Sequence, residues 1–327
     1  GGSVVDLNWG GAAVDNTVNL NGGTLTIGQV IARTTTGSRV FNFNGGTLKA
    51  AASSANFFDA GVASAANVRN GGAIIDTAGF DATIAQALLH SNIDGDAATD
   101  GGLTKTGAGT LTLTGTSDYT GATNVNVGTL VVNGSLADTE VTVASGAKLA
   151  GSGTIGTDTN KAASVTIQAG GTHSPGNSPG SQTVNGDTTY ADGSIFEWDI
   201  NGNTNASGDR GAAGGYDGVA VIGELTVDSG STFKVIQNSG TDFSMTFWDI
   251  NRAWDNIFSY GSLDSGWTAN TPVSIFDTAG APVDVSTEGY FTMTGTTLNW
   301  TMVPELSNLL IGALLGAGMM RRKRKDV

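Results

Sequence analysis

The sequence predicts an all-β fold: a parallel β-helix, or β-solenoid, closed by a C-terminal cap that contains a short helix and followed by a hydrophobic tail helix. Three observations predict it. The chain is rich in glycine and poor in charge, it repeats at spacings of about 18–30 residues, and apolar residues alternate with polar ones inside the repeats.

Of 327 residues, 50 are glycine and 5 are proline, with 39% hydrophobic and 13% charged. No tripeptide glycine period runs through the chain, which excludes collagen. Enough apolar side chains are present to bury a long core, which sets general disorder aside. Charge at about half the usual share leaves the polar surface to Thr, Ser and Asn. Many short strands joined by tight turns suit that composition; helical bundles, coiled coils and nucleotide-binding α/β enzymes do not. The formal charge is −14, although Arg321, Arg322, Lys323, Arg324 and Lys325 supply five of the fifteen basic residues. The remaining body is more acidic still, which disfavours nucleic acid and anionic bilayers as partners. Neutral glycans, cations and other proteins remain. Cysteine is absent, so disulfides, thiolate zinc sites and cysteine nucleophiles are excluded together. Secreted bacterial proteins can lack cysteine too, so this does not assign the chain to the cytoplasm.

Residues 1–236 carry the repeats. Asn-Gly-Gly recurs at Asn21, Asn44 and Asn70, and Asp100-Gly101-Gly102 follows. Three of these lead into Thr24-Leu25-Thr26-Ile27, Thr47-Leu48 and Ala73-Ile74-Ile75. Gly-Thr-Leu recurs at Gly109 and Gly128, followed by the related Gly146-Ala147-Lys148-Leu149. Within the turns, Leu111 and Leu113 stand between Thr110, Thr112 and Thr114. Val125 with Val127, Leu130 with Val132, Val141 with Val143, and Val165 with Ile167 repeat the pattern. Such alternation places apolar side chains on one face and hydroxyls or amides on the other. A parallel sheet packed on both sides would read as continuous apolar runs; a β-helix, with core inside and water outside, reconciles alternation with parallel strands. The glycine-rich corners also suit hairpins of a β-sandwich, but the period favours the solenoid. Turns of about 22 residues give about ten rungs and a rod of about 50 Å.

Two stretches carry a resemblance. Gly102-Leu-Thr-Lys-Thr-Gly-Ala-Gly-Thr-Leu-Thr-Leu-Thr-Gly115, with Tyr119-Thr-Gly-Ala-Thr123 and Gly128-Thr-Leu-Val-Val132, resembles the autotransporter-associated β-strand repeat. Gly171-Thr-His-Ser-Pro-Gly-Asn-Ser-Pro-Gly180, with Tyr216-Asp217 before Val219-Ala-Val221, is similar to downstream parts of the same passengers. The likeness is close over about residues 100–236 and looser before. It implies a right-handed parallel β-helix on the bacterial surface, usually a scaffold or adhesin. His173 stands where that family usually has an aliphatic residue, so one inward position is altered.

In the capping region, 237–302, Phe243, Phe247, Ile250, Trp254 and Ile257 fall at helical spacing. The expectation is a short helix whose aromatics cover an open end or side of the solenoid, because terminal rungs expose unpaired strands. A sharper reading makes Trp248, Trp254, Trp267 and Tyr260 a sugar-stacking platform. Strand-like segments resume at 273–276, 290–294 and 297–301.

The tail, 303–327, reads Val303-Pro304-Glu305-Leu306, then an uncharged run from Leu309 to Met320, then the basic cluster 321–325. The apolar run is short for a bilayer span, which needs about 20 residues. Basic residues would stay on the cytoplasmic side with the body outside. The tail resembles the PEP-CTERM sorting signal: Pro304 and Glu305 match the motif, the apolar helix follows, and Arg321, Arg322, Lys323, Arg324 and Lys325 close it. Leu306 departs from the usual second proline. The resemblance implies an exosortase-type sorting protease as partner and a tail only transiently in the membrane. A plain tail anchor is the alternative. An export signal is expected upstream, the chain opening mid-repeat as a fragment of a longer precursor.

Candidate chemistry is sparse. His90 and His173 are the only histidines, no HxH or HExxH spacing exists, and His173 reads as part of a Pro/Gly-rich loop. Gly151-Ser-Gly153-Thr-Ile-Gly156 matches GxGxxG by letters but reads as a solenoid corner. Asp94, Asp96 and Asp100 form the densest acidic group, and Asp209 with Asp217 another. Both are weak calcium options, without a bidentate glutamate at EF-hand spacing. No catalytic residue, cofactor or metal site is expected. The chain reads as a non-enzymatic, exported, surface-displayed scaffold or adhesin associated with extracellular matrix and possible extracellular polysaccharide. The alternative is a polysaccharide-degrading or polysaccharide-binding β-helix, recognisable by clustered carboxylates plus a basic residue in one lateral groove.

Overall fold

The computed structural model describes residues 3–8, 14–157, 162–176 and 179–303. It is a parallel β-solenoid whose short strands stack into long sheets. The first face begins with Val4–Asp6 and Gln29–Ile31 and climbs through Thr110–Leu113, Thr129–Val132, Lys148–Gly151, Thr172–Pro175 and Ile195–Ile200 to Thr232–Gln237 and Trp267–Asp277. Another face stacks Thr24–Ile27, Thr47–Ala50, Ala73–Asp76, Leu103–Thr106, Thr123–Val125, Glu140–Val143, Ala163–Ile167 and Gly186–Tyr190. The strands after Asn21, Asn44 and Asn70 therefore lie one above another, as their repeat implies. The remaining side starts with Asn16–Leu20, Arg39–Phe43, Ala65–Val68 and Leu89–His90. A separate series of short strands follows from Thr116–Ser117, with Asp118 N–H on the Leu88 carbonyl.

Register stacks like on like. On the first face Leu111 lies beside Leu130, Leu130 beside Leu149, Leu149 beside His173, His173 beside Phe196, and Phe196 beside Phe233. Leu111 and Leu113 are buried, Thr110 and Thr112 half-buried, and Thr114 exposed. This is the sidedness the alternation predicts. On the opposite column Ile75, Lys105, Val125, Val143, Ile167 and Tyr190 follow in register. Rung length is 19 residues from Leu111 to Leu130 and again from Leu130 to Leu149.

Corners need glycine where rungs touch. Gly128 has φ +74°, and a Cβ there would strike the carbonyls of Gly107 and Gly109 on the rung below. Gly151 and Gly153 are packed against the backbone of 132–134 in the same way. The GxGxxG letters thus belong to a bend between Lys148–Gly151 and Thr154–Ile155.

Parallel pairing does not stop at residue 236. Thr232–Gln237 pairs with Trp267–Asp277, and Gly218–Val227 pairs with Phe258–Leu263. Only then does the sheet turn antiparallel, through Gly289–Gly295, Thr297–Met302 and Arg252–Trp254. The three strand-like segments expected in this region fall within those strands. The helical stripe does not form as expected. Residues 243–257 fold into one 3-10 turn, Thr246–Trp248, and a strand, Arg252–Trp254. Phe243, Trp254 and Ile257 are buried, but Ile250 is 54% exposed, so the five residues share no face. Asp242 Oδ1 accepts from the Ser244 N–H and Oγ, fixing a turn at the start, and the edge of Thr297–Met302 recruits the later residues as an antiparallel strand. Tertiary pairing has overridden local periodicity.

Candidate functional site

Outward positions on successive rungs of the first face form a lateral groove of about 380 Å³, lined by Lys148, Ser174, Glu197, Asp199, Ile236 and Asp277 among others. Carboxylates and a basic residue do come together in one groove. Each has a partner, however. Lys148 Nζ bonds Glu197 Oε2 at 2.5 Å, spanning rungs 49 residues apart. Asp277 Oδ1 accepts from the N–H groups of Ala279 and Ala281 and so shapes the turn at the rim.

Behind this groove lies Asp217, fully buried. Its Oδ1 accepts from Gly180 N–H at 2.8 Å and its Oδ2 from Asp199 N–H at 3.0 Å. Burial, and then the neighbouring Asp199, push its carboxyl well above the usual range. Glycan cleavage by a carboxylate pair needs a raised acid that reaches the leaving oxygen. Asp217 has both oxygens committed to backbone donors and no exposed surface. Asp209, its companion in sequence, accepts from Thr204 Oγ1 within the same loop; the two carboxylates do different structural jobs.

The other acidic group also disperses. Asp96 holds Arg69 through two hydrogen bonds, at 2.8 and 3.0 Å, and accepts from Ser91. The Arg69 bonds hold its carboxyl below the usual range. Asp94 is exposed. Asp100 accepts from the N–H groups of Gly102, Thr120 and Gly121 and pairs with His90 Nδ1 at 2.8 Å. Burial raises its pKa, but the Thr120 N–H, His90 and the two glycine N–H groups together outweigh that and hold it low. Asp100 thus pins the corner where one rung passes over the next.

His173 is in the strand Thr172–Pro175, inside the leucine column, rather than in a loop. The alternation phase carries it inward, and it is fully buried. Nδ1 lies 2.6 Å from Tyr190 Oη and Nε2 2.8 Å from Gln182 Oε1. The Gln182 amide nitrogen in turn donates to the Ala150 carbonyl. That orientation makes Nε2–H the donor to Gln182 and Nδ1 the acceptor from Tyr190. Burial pulls the imidazole down to about 4, with the Gln182 bond opposing, so it is neutral across the physiological range.

Lys105 is the buried polar residue the sequence reading missed. Its Nζ donates to Thr77 Oγ1 and to the carbonyls of Thr106, Gly107 and Val127, all between 2.7 and 2.9 Å. Burial pulls its pKa down to about 8, opposed by Asp76. One ammonium therefore ties three rungs together. The signal was its parity with Leu103, which places both on the inward phase.

The alternative of a sugar-stacking platform is overturned. Trp248, Trp254 and Trp267 are buried, with their indole N–H groups donating to Asn203 Oδ1, Thr204 O and Ser231 O. Only Tyr260 of the four is exposed. Val303 is the single sorting-signal residue within the described part of the chain, exposed and donating its N–H to the Glu288 carbonyl; Pro304, Glu305 and 321–325, with the tail helix, lie outside it. Among the described residues, no helix is long and apolar enough to cross a membrane, and no three acidic or histidine side chains converge as metal ligands.

No curated protein matches the chain. Residues 103–132 match the family model described as passenger-associated-transport-repeat. That stretch contains Lys105, the Leu111 column and the Gly128 corner, and its match supports the resemblance to the autotransporter-associated repeat: a β-helix of the passenger type.

Proposed function

We propose that this protein is a non-enzymatic scaffold of the bacterial surface, exported, sorted through its C-terminal tail and serving adhesion or extracellular matrix. One observation carries the reading: the passenger-type repeat at 103–132 sits within a parallel stack whose buried Lys105, His173, Asp100 and Asp217 are taken up in holding its core and corners. Lys105, Asp100 and Asp217 bond across rungs and His173 bonds across the core of its own turn, and none presents a reactive atom to a substrate. What faces solvent is a lattice of Thr, Ser and Asn, a surface suited to neutral glycans and other proteins.

The test is made on whole cells of a host that exports the protein. Protease added outside should release body peptides without lysis, and cells lacking the protein should lose aggregation or matrix retention. Peptides that appear only after lysis would overturn the surface assignment.

A second reading rests on the Lys148–Glu197–Asp199–Asp277 groove: a β-helix that binds or cleaves polysaccharide. Sustained release of reducing ends or unsaturated products from a glycan panel, lost in Glu197→Gln, would promote it. Glu197 is already paired with Lys148 and Asp277 with backbone N–H groups, and the expectation is no turnover, with or without calcium.

A further inference from the structure

We propose that the first apolar part of the tail, residues 306–311, folds back into an apolar groove beside the point where the tail leaves the body. The groove opens where two antiparallel strands part. Trp267–Asp277 and Gly289–Gly295 pair from Thr271 opposite Met293 to Val273 opposite Phe291. Beyond Val273 the first strand keeps only its parallel neighbour, Thr232–Gln237. Loop 278–288 closes part of the gap, through a bridge between Phe276 and Pro282 and through Val283 N–H on the Ile275 carbonyl. What remains is a cavity of about 460 Å³ walled by Val273, Ile275, Phe276, Val283, Val285 and Tyr290, with no charged side chain in its lining. Tyr290 is 52% exposed at its edge.

The occupant is indicated by where the chain goes. Val303 donates its N–H to the Glu288 carbonyl at 2.9 Å. Gly289, next along, and Ser286, two residues back, both line the groove. The tail therefore starts at the rim. Its next apolar residues are Leu306, Leu309, Leu310 and Ile311, with no charge between Leu306 and Met320. The stretch from Val303 to Ile311 reaches up to ~26 Å extended or about 12 Å as a helix, so either form can enter. Tethering also gives the segment a local concentration on the order of millimolar, which a free partner must exceed. Docking removes from water leucines that otherwise stay exposed until a membrane is met. The basic cluster 321–325 remains outside, drawn to an acidic body. The inference concerns the uncut chain, so its test is separate from that of sorting.

The cysteine-free chain allows a direct test on the full-length protein in detergent-free buffer. Tyr290→Cys with Leu309→Cys places one thiol at the groove and one on the tail. Ile250→Cys with Leu309→Cys is the control. Ile250 is 54% exposed, and its neighbour Asn251 accepts from Met302 N–H, so it lies near the exit but outside the groove. Under mild oxidation the Tyr290 pair should close an intramolecular disulfide about tenfold faster than the Ile250 pair. Adding Val283→Asp to the groove pair should remove that difference, while Val283→Leu should keep it. Equal rates for the two pairs would overturn docking. So would a predominance of disulfide-linked dimers, which would give the groove to a second copy.

Discussion

At the scale of single residues, the buried polar groups set the pH response. Burial lowers the His173 pKa in the fold to about 4, against an ordinary value near 6.5 when unfolded. The unfolded chain therefore takes up a proton first as pH falls. The stability is fully present above about pH 6.5 and is lost progressively down to about pH 4, by roughly 3 kcal/mol in all. His173→Leu should flatten that part of the stability–pH curve, while leaving the Tyr190 hydroxyl and Gln182 Oε1 without their partner and so lowering the plateau. Urea midpoints for both proteins at half-unit intervals between pH 4 and 7 would decide; parallel curves would mean that the imidazole is not sealed from protons. Lys105 gives a second prediction. Lys105→Met fits the column sterically but takes the donor from the Gly107 and Val127 carbonyls, while Thr77 Oγ1 and the Thr106 carbonyl still bond each other, so it should destabilise by about 2 kcal/mol at pH 7. A denaturation midpoint equal to that of the unaltered protein would show that the two carbonyls find other donors. Neither network was readable in the sequence beyond its inward phase. Parity could point His173 and Lys105 inward, but Thr77 and Val127 arrive from other rungs, and Gln182 and Tyr190 from later strands of the same turn.

At the scale of the strand and rung, alternation was the most legible signal, because a period of two leaves each side chain one of two directions. The Thr110–Leu113 strand shows this, with Leu111 packed between Ala82 and Leu130. Leu111→Asp would bury a carboxylate in that column and should cost about 4 kcal/mol or more. Thr112→Asp, one residue along and facing outward, should stay within about 0.5 kcal/mol. Equal midpoints for the two variants would mean the register is wrong. The region after residue 236 was less legible for a definite reason. Phe243, Phe247, Ile250, Trp254 and Ile257 match a helical period by letters alone, yet Phe243 and Trp254 pack on Trp300 and Phe291, far along the chain, and Ile250 is exposed. Phe243 stacks on Trp300 with centroids 5.5 Å apart, and Trp254 meets Phe291 at 5.8 Å. Such partners carry no local trace. The lateral groove was equally hidden, since Lys148 and Glu197 meet only because two rungs of unequal length stack.

At the scale of the whole molecule, one end is organised differently from the rest. Rungs stack in parallel to Trp267–Asp277, and the antiparallel strands that follow cover that edge before releasing the chain at Val303. This places the Pro-Glu element immediately beyond a folded body, where Pro304 disfavours continuation of the preceding strand's ladder by lacking an N–H. In the proposed sorting, a protease at the membrane face would act between the folded body and an apolar segment short for a bilayer span. On that proposal the basic end would resist translocation and hold the segment in place for cleavage. The mature surface protein should therefore end near Pro304 and lack Arg321–Lys325. Removing residues 321–325 should weaken retention and let the uncut precursor pass into the medium. Intact-mass measurement of surface-extracted protein, from a host that carries an exosortase, separates the outcomes. A mature species still ending at Val327 would make the tail a permanent anchor and end the sorting assignment, leaving the passenger-type β-helix itself untouched.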